Sequence, residues 1–109
     1  MGIFGKLFRL AFSAAPEVLP EQAILIDVRS PSEFAAAHIK GAISLPLNCV
    51  VQGIGSVVTD RTIPVIVYCQ SGARSAAARK HLLDMGYSHV INGGGLQVLS
   101  SRMNREILR

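Results

Sequence analysis

The clearest fold signal in the chain is the stretch Val65-Ile-Val-Tyr-Cys69-Gln-Ser-Gly-Ala-Arg74-Ser75-Ala-Ala-Ala-Arg79. It opens with a run of branched and aromatic apolar residues, which predicts a buried β-strand. A thiol follows the strand directly. A loop of small residues then leads to a helix that is predicted to begin at Arg74 or Ser75 and to end near Met85. A strand, a loop and a helix in this order form the repeating unit of a parallel sheet.

The residues before this stretch predict a similar unit. Residues 23–28, Ala-Ile-Leu-Ile-Asp-Val, predict a second buried strand. Ser30 can cap the helix that follows, with Pro31 as its first residue and Glu33 completing a capping box. The other predicted elements are short strands at 43–45 and 90–91, a mixed segment at 47–62 in which Gly53 and Gly55 disfavour a long helix, a turn at 92–95 and a helix at 96–108. The alternation predicts an α/β fold, with an open parallel sheet, helices on both of its faces and the Cys69 loop at the carboxyl end of a strand.

Length and composition indicate one globular domain. The chain has 109 residues, of which 50% are apolar and 17% are charged, so a core can form and intrinsic disorder is excluded. The net charge of +4 comes from the two ends, because residues 1–13 hold two basic and no acidic side chains and residues 101–109 hold three basic and one acidic. Residues 14–100 are neutral and aromatic residues are few, so we expect no nucleic-acid partner.

We expect residues 1–15 to form a separate amphipathic segment and residues 16–109 to be the single domain. The apolar residues of the segment follow helical spacing, with Lys6 and Arg9 on the other side. Such a helix packs on the domain, frays, or makes a weak contact of residues 1–13 with a membrane surface or a partner. Arg9 interrupts the apolar run, which is then too short for a signal peptide, and no run is long enough to span a membrane.

The two cysteines, Cys49 and Cys69, are too few for a disulfide scaffold and do not form a C-x-x-C motif. No pair of cysteine or histidine residues has the spacing of a metal site, so we expect no metal. The simplest interpretation is one useful thiol, Cys69, in the reducing cytoplasm. Cys49 lies in the mixed segment and is interpreted as a small apolar core residue, with a resolving thiol as the alternative.

The loop after Cys69 is suited to stabilising a thiolate. Helix N-termini present unpaired amide hydrogens and the positive end of the helix dipole, Arg74 adds a full positive charge, and Gly72 permits tight curvature. These effects predict a pKa of Cys69 well below its ordinary value. The same cradle can hold an anionic substrate, and its residues are Gln70, Ser71, Gly72, Ala73, Arg74 and Ser75. The alternative is an inert buried cysteine at the end of a strand, which needs neither Gly72 nor Arg74.

The sequence also resembles the single-domain rhodaneses, a family of sulfurtransferases. The segments that carry the resemblance are Leu-Ile-Asp-Val-Arg-Ser-Pro-Ser-Glu-Phe at 25–34 with His-Ile-Lys-Gly-Ala at 38–42 and Pro46, Tyr-Cys-Gln-Ser-Gly-Ala-Arg-Ser at 68–75, and Leu82, Gly86-Tyr87, Val90 and Gly93-Gly94. The second of these is similar to the active-site loop of the family. The resemblance covers residues 18–98 and implies a rhodanese-like α/β fold with a persulfide intermediate on Cys69.

The reaction that the resemblance implies moves a sulfane sulfur from a donor such as thiosulfate to Cys69 and then to cyanide or a thiol, without a cofactor. One alternative is a persulfide carrier that serves a partner protein, and another is a phosphatase or an arsenate reductase. Four residues separate Cys69 from Arg74, whereas a C-x5-R phosphatase loop has five. A smaller ring of amides suits a sulfur atom better than a phosphate group, which favours sulfur transfer.

Asp27 and Arg29 end the first predicted strand at the sheet edge of Cys69, where they support the site. They either contact the substrate or form an ion pair that links the loops. Arg74 either binds the anionic end of the donor or steadies its loop. His38 is interpreted as structural, because a thiolate formed by amides needs no general base. The three C-terminal arginines form either a solvated helical face or a docking stripe for an acidic partner: Arg102, Arg105 and Arg109.

Overall fold

The fold is described over residues 18–109 of a computed structural model. Along the chain the elements are β1 (Ile24–Asp27), α1 (Pro31–Ala36), β2 (His38–Ile39), β3 (Ile43–Ser44), a 3-10 helix (Leu47–Cys49), α2 (Val50–Val57), β4 (Val65–Cys69), α3 (Ala73–Asp84), β5 (Val90–Gly95), α4 (Leu96–Met103) and β6 (Ile107–Leu108). Four parallel strands form the main sheet in the order β3-β1-β4-β5. The predicted amphipathic segment, residues 1–15, lies outside the described residues.

Both faces of the main sheet are covered. Side chains that alternate along a strand point to opposite faces, so Ile66 and Val67 belong to different clusters of the core. The cluster on one face combines the strands with α2 and α3, through residues such as Ile54 and Leu82. The other cluster combines them with α4, through Leu99. Burial on both faces explains why β1 and β4 are continuous apolar runs, and it confirms the predicted sheet with helices on both faces.

Local sequence signals placed α1 correctly. Ser30 caps the helix, its hydroxyl accepting from the amide of Glu33 at 3.2 Å. The Glu33 carboxylate in turn accepts from the amide of Ser30 at 3.0 Å, which completes the predicted capping box. The short range of these contacts is why they could be predicted, since a capping box needs only four consecutive residues.

The prediction of a turn at residues 92–95 is wrong, because these residues extend β5. Tyr68 pairs with Gly94 and Cys69 with Gly95, after a register shift beyond Val67. A β-carbon on Gly95 would lie 2.3 Å from the carbonyl oxygen of Gln70. The glycines therefore let the strand pass close to the loop after β4, a tertiary requirement that resembles a turn signal in the sequence.

The prediction of one helix over residues 96–108 is also wrong. The α4 helix ends at Met103, and Asn104 adopts a left-handed conformation with φ of 51°. The chain then forms β6, which pairs antiparallel with β2. The three C-terminal arginines consequently do not share one helical face, since only Arg102 lies on α4.

Residues 47–62 contain more helix than two glycines suggest. The 3-10 helix and α2 cover much of this segment, and Val50 and Ile54 are fully buried in the core. Burying a side chain of this size stabilises the fold by about 1.5–3 kcal/mol, which outweighs the cost of about 1 kcal/mol for a glycine in a helix. Among the described residues, no helix is both long enough and apolar enough to cross a membrane.

Candidate active site

Cys69 is the last residue of β4, a central strand of the main sheet. The loop of Gln70, Ser71 and Gly72 then reverses the chain into α3, and Gly72 has a φ of +107°, which side chains with a β-carbon rarely adopt. The thiol therefore lies at the carboxyl edge of the sheet, against the first turn of a helix. This edge is where open parallel sheets bind ligands.

The sulfur of Cys69 lies within a cradle of hydrogen-bond donors. The amide of Gly72 donates to Sγ at 3.0 Å, and the hydroxyl of Ser75 lies 3.4 Å from it. Burial, with only 1% of the residue exposed, raises the pKa of the thiol. The hydroxyl and amide of Ser75 and the amides of Gly72 and Ser71 outweigh it and lower that pKa to about 7. The cradle therefore shifts the equilibrium between thiol and thiolate at Cys69 toward the thiolate.

Asn92 on β5 hydrogen-bonds to residues of the cradle, and the sequence did not indicate this role. Its Oδ1 accepts from the hydroxyl of Ser75 at 2.7 Å and from the amide of Gly94 at 2.9 Å. Its Nδ2 donates to the carbonyl of Gly72 at 3.2 Å. The only signal in the sequence was an Asn-Gly pair, which is more often found in a turn.

Arg74 points to α1 and pairs with Glu33. The two guanidinium nitrogens donate to the two carboxylate oxygens at 2.7 and 3.1 Å, a bidentate arrangement. The bond from Arg74 and the amide of Ser30 lower the pKa of Glu33 to about 2. Of the two roles predicted for Arg74, this geometry favours the one that steadies the loop. From the sequence alone, Glu33 was expected only to complete the capping box.

Asp27 and Arg29 form a buried ion pair at the end of β1. The distance between Nη2 and Oδ2 is 2.8 Å, and the side chains are 0% and 3% exposed. Arg29 also donates to the carbonyl of Ala37 and, at 3.4 Å, to the side-chain oxygen of Gln70. The pair thus links the loop after β1 to the loop after Cys69, and the substrate-contact alternative has no support in this geometry.

The remaining candidate residues lie apart from the thiol. His38 stacks on Phe34 and its Nδ1 bonds to the Phe34 carbonyl at 2.9 Å, which is a structural role. The prediction that Cys49 is a core residue is wrong, because Cys49 is exposed at the end of the 3-10 helix. Short-range apolar character could not tell which side of this helix faces the core. Within residues 18–109, no cluster of side chains could hold a metal ion.

A cavity of about 270 Å³ opens beside the Cys69 loop. Its lining residues are Val28, Ser30, Pro46, Leu47, Asn48 and Arg74. Val28 lies next to β4, since its amide donates to the carbonyl of Tyr68 at 3.0 Å. The cavity therefore lies next to the cradle. Two of its lining residues make the connection: Arg74 in the first turn of α3, and Val28 beside β4.

An open parallel sheet with an activated thiol in an amide cradle defines a class of enzymes that use cysteine as a covalent nucleophile. The family model of the rhodanese-like domain matches residues 14–99. The chain belongs to this family. The predictions of the family, of its α/β fold and of a sulfurtransferase enzyme are thereby confirmed.

The most similar relatives include named sulfurtransferases. Thiosulfate sulfurtransferase PspE of Escherichia coli K12 is 44% identical over 72 residues, which are 66% of this chain and 69% of that protein. Thiosulfate sulfurtransferase GlpE of Pseudomonas entomophila is 34% identical over 88 residues, 79% of each chain. A solved structure, a rhodanese with anions from E. coli, has a TM-score of 0.74 at 37% identity and covers 80% of this chain and 98% of its own.

Proposed function

We propose that the protein transfers sulfane sulfur through a persulfide on Cys69, with thiosulfate as a donor. The observation that carries the proposal is the cradle, in which the amide of Gly72 lies 3.0 Å from the sulfur and lowers its pKa together with Ser75 and Ser71. The thiosulfate specificity named for PspE and GlpE is consistent with it. Gln70 and Ala73 complete the loop around the nucleophile.

The first half-reaction is an attack of the Cys69 thiolate on the outer sulfur of thiosulfate. A sulfur–sulfur bond forms between Sγ and that outer sulfur, while the sulfur–sulfur bond of thiosulfate breaks. Sulfite leaves with the electron pair of the broken bond, and an anionic persulfide remains on Cys69. The amides that stabilise the thiolate are placed to stabilise the persulfide charge as well.

The second half-reaction returns the enzyme to its thiolate form. A thiolate acceptor attacks the outer persulfide sulfur, the bond to Sγ breaks, and its electron pair stays on Cys69. The acceptor leaves as a persulfide, or as thiocyanate when cyanide is the acceptor. Only 1% of the surface of Cys69 is exposed, so the acceptor must come close to the loop to reach the outer sulfur. The cavity of about 270 Å³ beside the loop has room for a small thiol.

The geometry of Arg74 argues against phosphate chemistry. A phosphate site needs a cation aimed into the ring of amides, and here the guanidinium is held by Glu33 at 2.7 Å. The loop also has only four residues between Cys69 and Arg74. Both features favour a loop that holds one transferred sulfur atom on Cys69 over a loop that holds a phosphoryl group there.

The test is the intact mass of the protein after incubation with thiosulfate. Sulfur loading adds about 32 Da, the mass of one sulfur atom in the covalent intermediate. Wild-type protein and C49S should gain it, and C69S should not, with circular dichroism showing that both variants are folded. C49S is the matched control because Cys49 is exposed and is the only other cysteine. Loading of folded C69S, or no loading of C49S, would contradict the proposal.

Turnover with thiosulfate and cyanide distinguishes an enzyme from a carrier. Rapid turnover in the presence of cyanide supports a sulfurtransferase that acts on small molecules. A protein that loads one sulfur but discharges it slowly to cyanide and to small thiols supports a persulfide carrier, whose acceptor is a partner protein.

A further inference from the structure

The side chain of Asn92 has an orientation that its neighbours settle. The amide of Gly94 can only donate, so the atom that it meets at 2.9 Å is Oδ1. The carbonyl of Gly72 can only accept, so the atom 3.2 Å from it is Nδ2. The Ser75 hydroxyl, 2.7 Å from Oδ1, must therefore be the donor in that contact.

The Ser75 hydroxyl has one proton and three nearby acceptors. The carbonyl of Gly72 is 3.1 Å away, but its two lone pairs already accept from the amide of Ala76 at 3.0 Å and from Asn92 Nδ2. The remaining acceptors are Asn92 Oδ1 at 2.7 Å and the sulfur of Cys69 at 3.4 Å. One proton cannot serve both acceptors at full strength.

We propose that Asn92 and the sulfur of Cys69 are alternative acceptors for the Ser75 proton, which makes Asn92 a positioning residue for the nucleophile. When Cys69 is a thiol, Ser75 donates to Asn92 and its oxygen lone pair faces the S–H group. When Cys69 is a thiolate or a persulfide anion, the hydroxyl rotates and donates to sulfur. Asn92 Oδ1 then keeps the amide of Gly94, so no polar atom loses its last partner.

This proposal deepens the proposed function, because it assigns a switch to the same nucleophile. A neutral thiol and an anionic thiolate or persulfide make opposite demands on Ser75, and the position of one proton meets both. This hydrogen-bonded chain connects Cys69 on β4, Ser75 on α3 and Asn92 on β5. The three elements pack together at the sheet edge.

The native charged groups around Cys69 are unchanged in the variants needed for the test, and only N92D adds a charge to them. Arg74 on α3 is a cation within electrostatic reach of Cys69 and is paired with Glu33 on α1. Asp27 and Arg29 at the end of β1 neutralise each other. Any change in the thiolate population of a Ser75 or Asn92 variant therefore reports on the contacts of those two residues and on the charge that a variant introduces.

The experiment is a double-mutant cycle in a C49S background, where Cys69 is the only thiol. The readout is the rate of alkylation of Cys69 by iodoacetamide at pH 6, which follows the thiolate fraction. S75A should slow alkylation about tenfold, because a charge-assisted hydrogen bond is lost. In an N92D background, the carboxylate holds the Ser75 proton more tightly, so S75A should slow alkylation less than about twofold.

The cycle cancels the bare charge of the introduced carboxylate, because N92D is present on both sides of the second comparison. N92A supplies the opposite case, because it removes the competing Oδ1. It also frees the Gly72 carbonyl from Nδ2, but that neutral carbonyl, 3.1 Å from the Ser75 hydroxyl, is a weaker acceptor than a thiolate, so S75A should slow alkylation at least as much as in wild type. A smaller effect of S75A in N92A would mean that Asn92 merely holds Ser75 in place, and it would overturn the proposal. An undiminished effect of S75A in folded N92D would also overturn it.

Alkylation needs no sulfur donor, so its result is separable from that of the mass measurement. A chain that shows the predicted coupling but takes up no sulfur refutes the proposed function and leaves the proton switch in place. A chain that loads sulfur but lacks the coupling refutes the switch alone. Thermal unfolding of each variant shows which of them are folded, and the N92A comparison decides the matter if N92D is not.

Discussion

Replacing Glu33 by glutamine is expected to weaken the coupling between α1 and the loop that follows Cys69. Glutamine keeps an oxygen that can cap the amide of Ser30, as the capping box allows either residue. It loses the negative charge and one of the two oxygens that hold Arg74 at 2.7 and 3.1 Å. The substitution therefore removes the ion pair while leaving the helix cap.

The magnitude follows from the pKa of Glu33. A decrease from 4.5 to about 2 corresponds to about 3 kcal/mol when solvent screening is neglected. Part of the shift comes from the amide of Ser30, whose bond glutamine keeps. Both side chains are also more than one-third exposed, at 34% for Glu33 and 38% for Arg74, so solvent screening and the retained bond reduce the figure to about 1 kcal/mol. A loss of that size lowers the melting temperature of a domain this small by about 4–8 °C.

The stabilisation that Glu33 provides depends on pH, and the direction of that dependence follows from its pKa. The folded-state pKa of Glu33 lies below its unfolded value, so its contribution is fully present above about pH 4.5 and is lost as the pH falls towards 2. Urea unfolding at pH 7 should show E33Q less stable than wild type by about 1 kcal/mol, and the difference should shrink at pH 3. R74Q should cost a similar amount, and the double variant should cost little more than either.

A matched control is the exposed pair of Lys80 and Asp84, whose side chains are 76% and 64% exposed. D84N should change the stability by less than about 0.5 kcal/mol. A difference between E33Q and wild type that stays constant from pH 7 to pH 3 would refute the reasoning. So would equal stability of E33Q and D84N, since the bidentate geometry would then contribute nothing.

Two further predictions concern the nucleophile and the loop. Single-turnover loading from thiosulfate should rise about tenfold per pH unit up to a midpoint near 7, because the lowered pKa of Cys69 makes the thiolate available there, whereas a midpoint near 9 would show an unperturbed thiol. G95A should lose about 1–3 kcal/mol of stability and loading activity, because its β-carbon would lie 2.3 Å from the carbonyl of Gln70; G55A, with open space around it on α2, should be neutral or stabilised, and equal unfolding midpoints for the two would contradict this.

Several parts of the fold could be predicted because their signals are local. The strand that ends at Cys69, the helix after it and the capping box of Ser30 and Glu33 all depend on neighbours within a few residues. The amide cradle is of the same kind, since Gly72 and Ser75 follow Cys69 closely in the chain. The alternation of short apolar strands with helices was likewise enough to predict a parallel sheet.

The errors have a different origin. Residues 92–95 look like a turn, but pairing with Tyr68 and Cys69 draws them into β5. Residues 96–108 look helical, but β6 finds a partner in β2 and the helix ends at Met103. In both cases hydrogen bonding to a distant strand outweighed local preference. The prediction that Cys49 lies in the core is wrong for another reason: the sequence shows that the side chain is apolar but not which way it points from its helix.

The candidate nucleophile, Cys69, and the donors on its own loop can be predicted from the amino-acid sequence, because short-range geometry brings them together in any chain with this pattern. The residues that hydrogen-bond to this loop from other elements could be identified only in the tertiary structure. Glu33 meets Arg74 across 41 positions and Asn92 meets Ser75 across 17, and no local pattern marks either pair. Strand order places both contacts at one sheet edge, and strand order is set by the burial of two core faces at once.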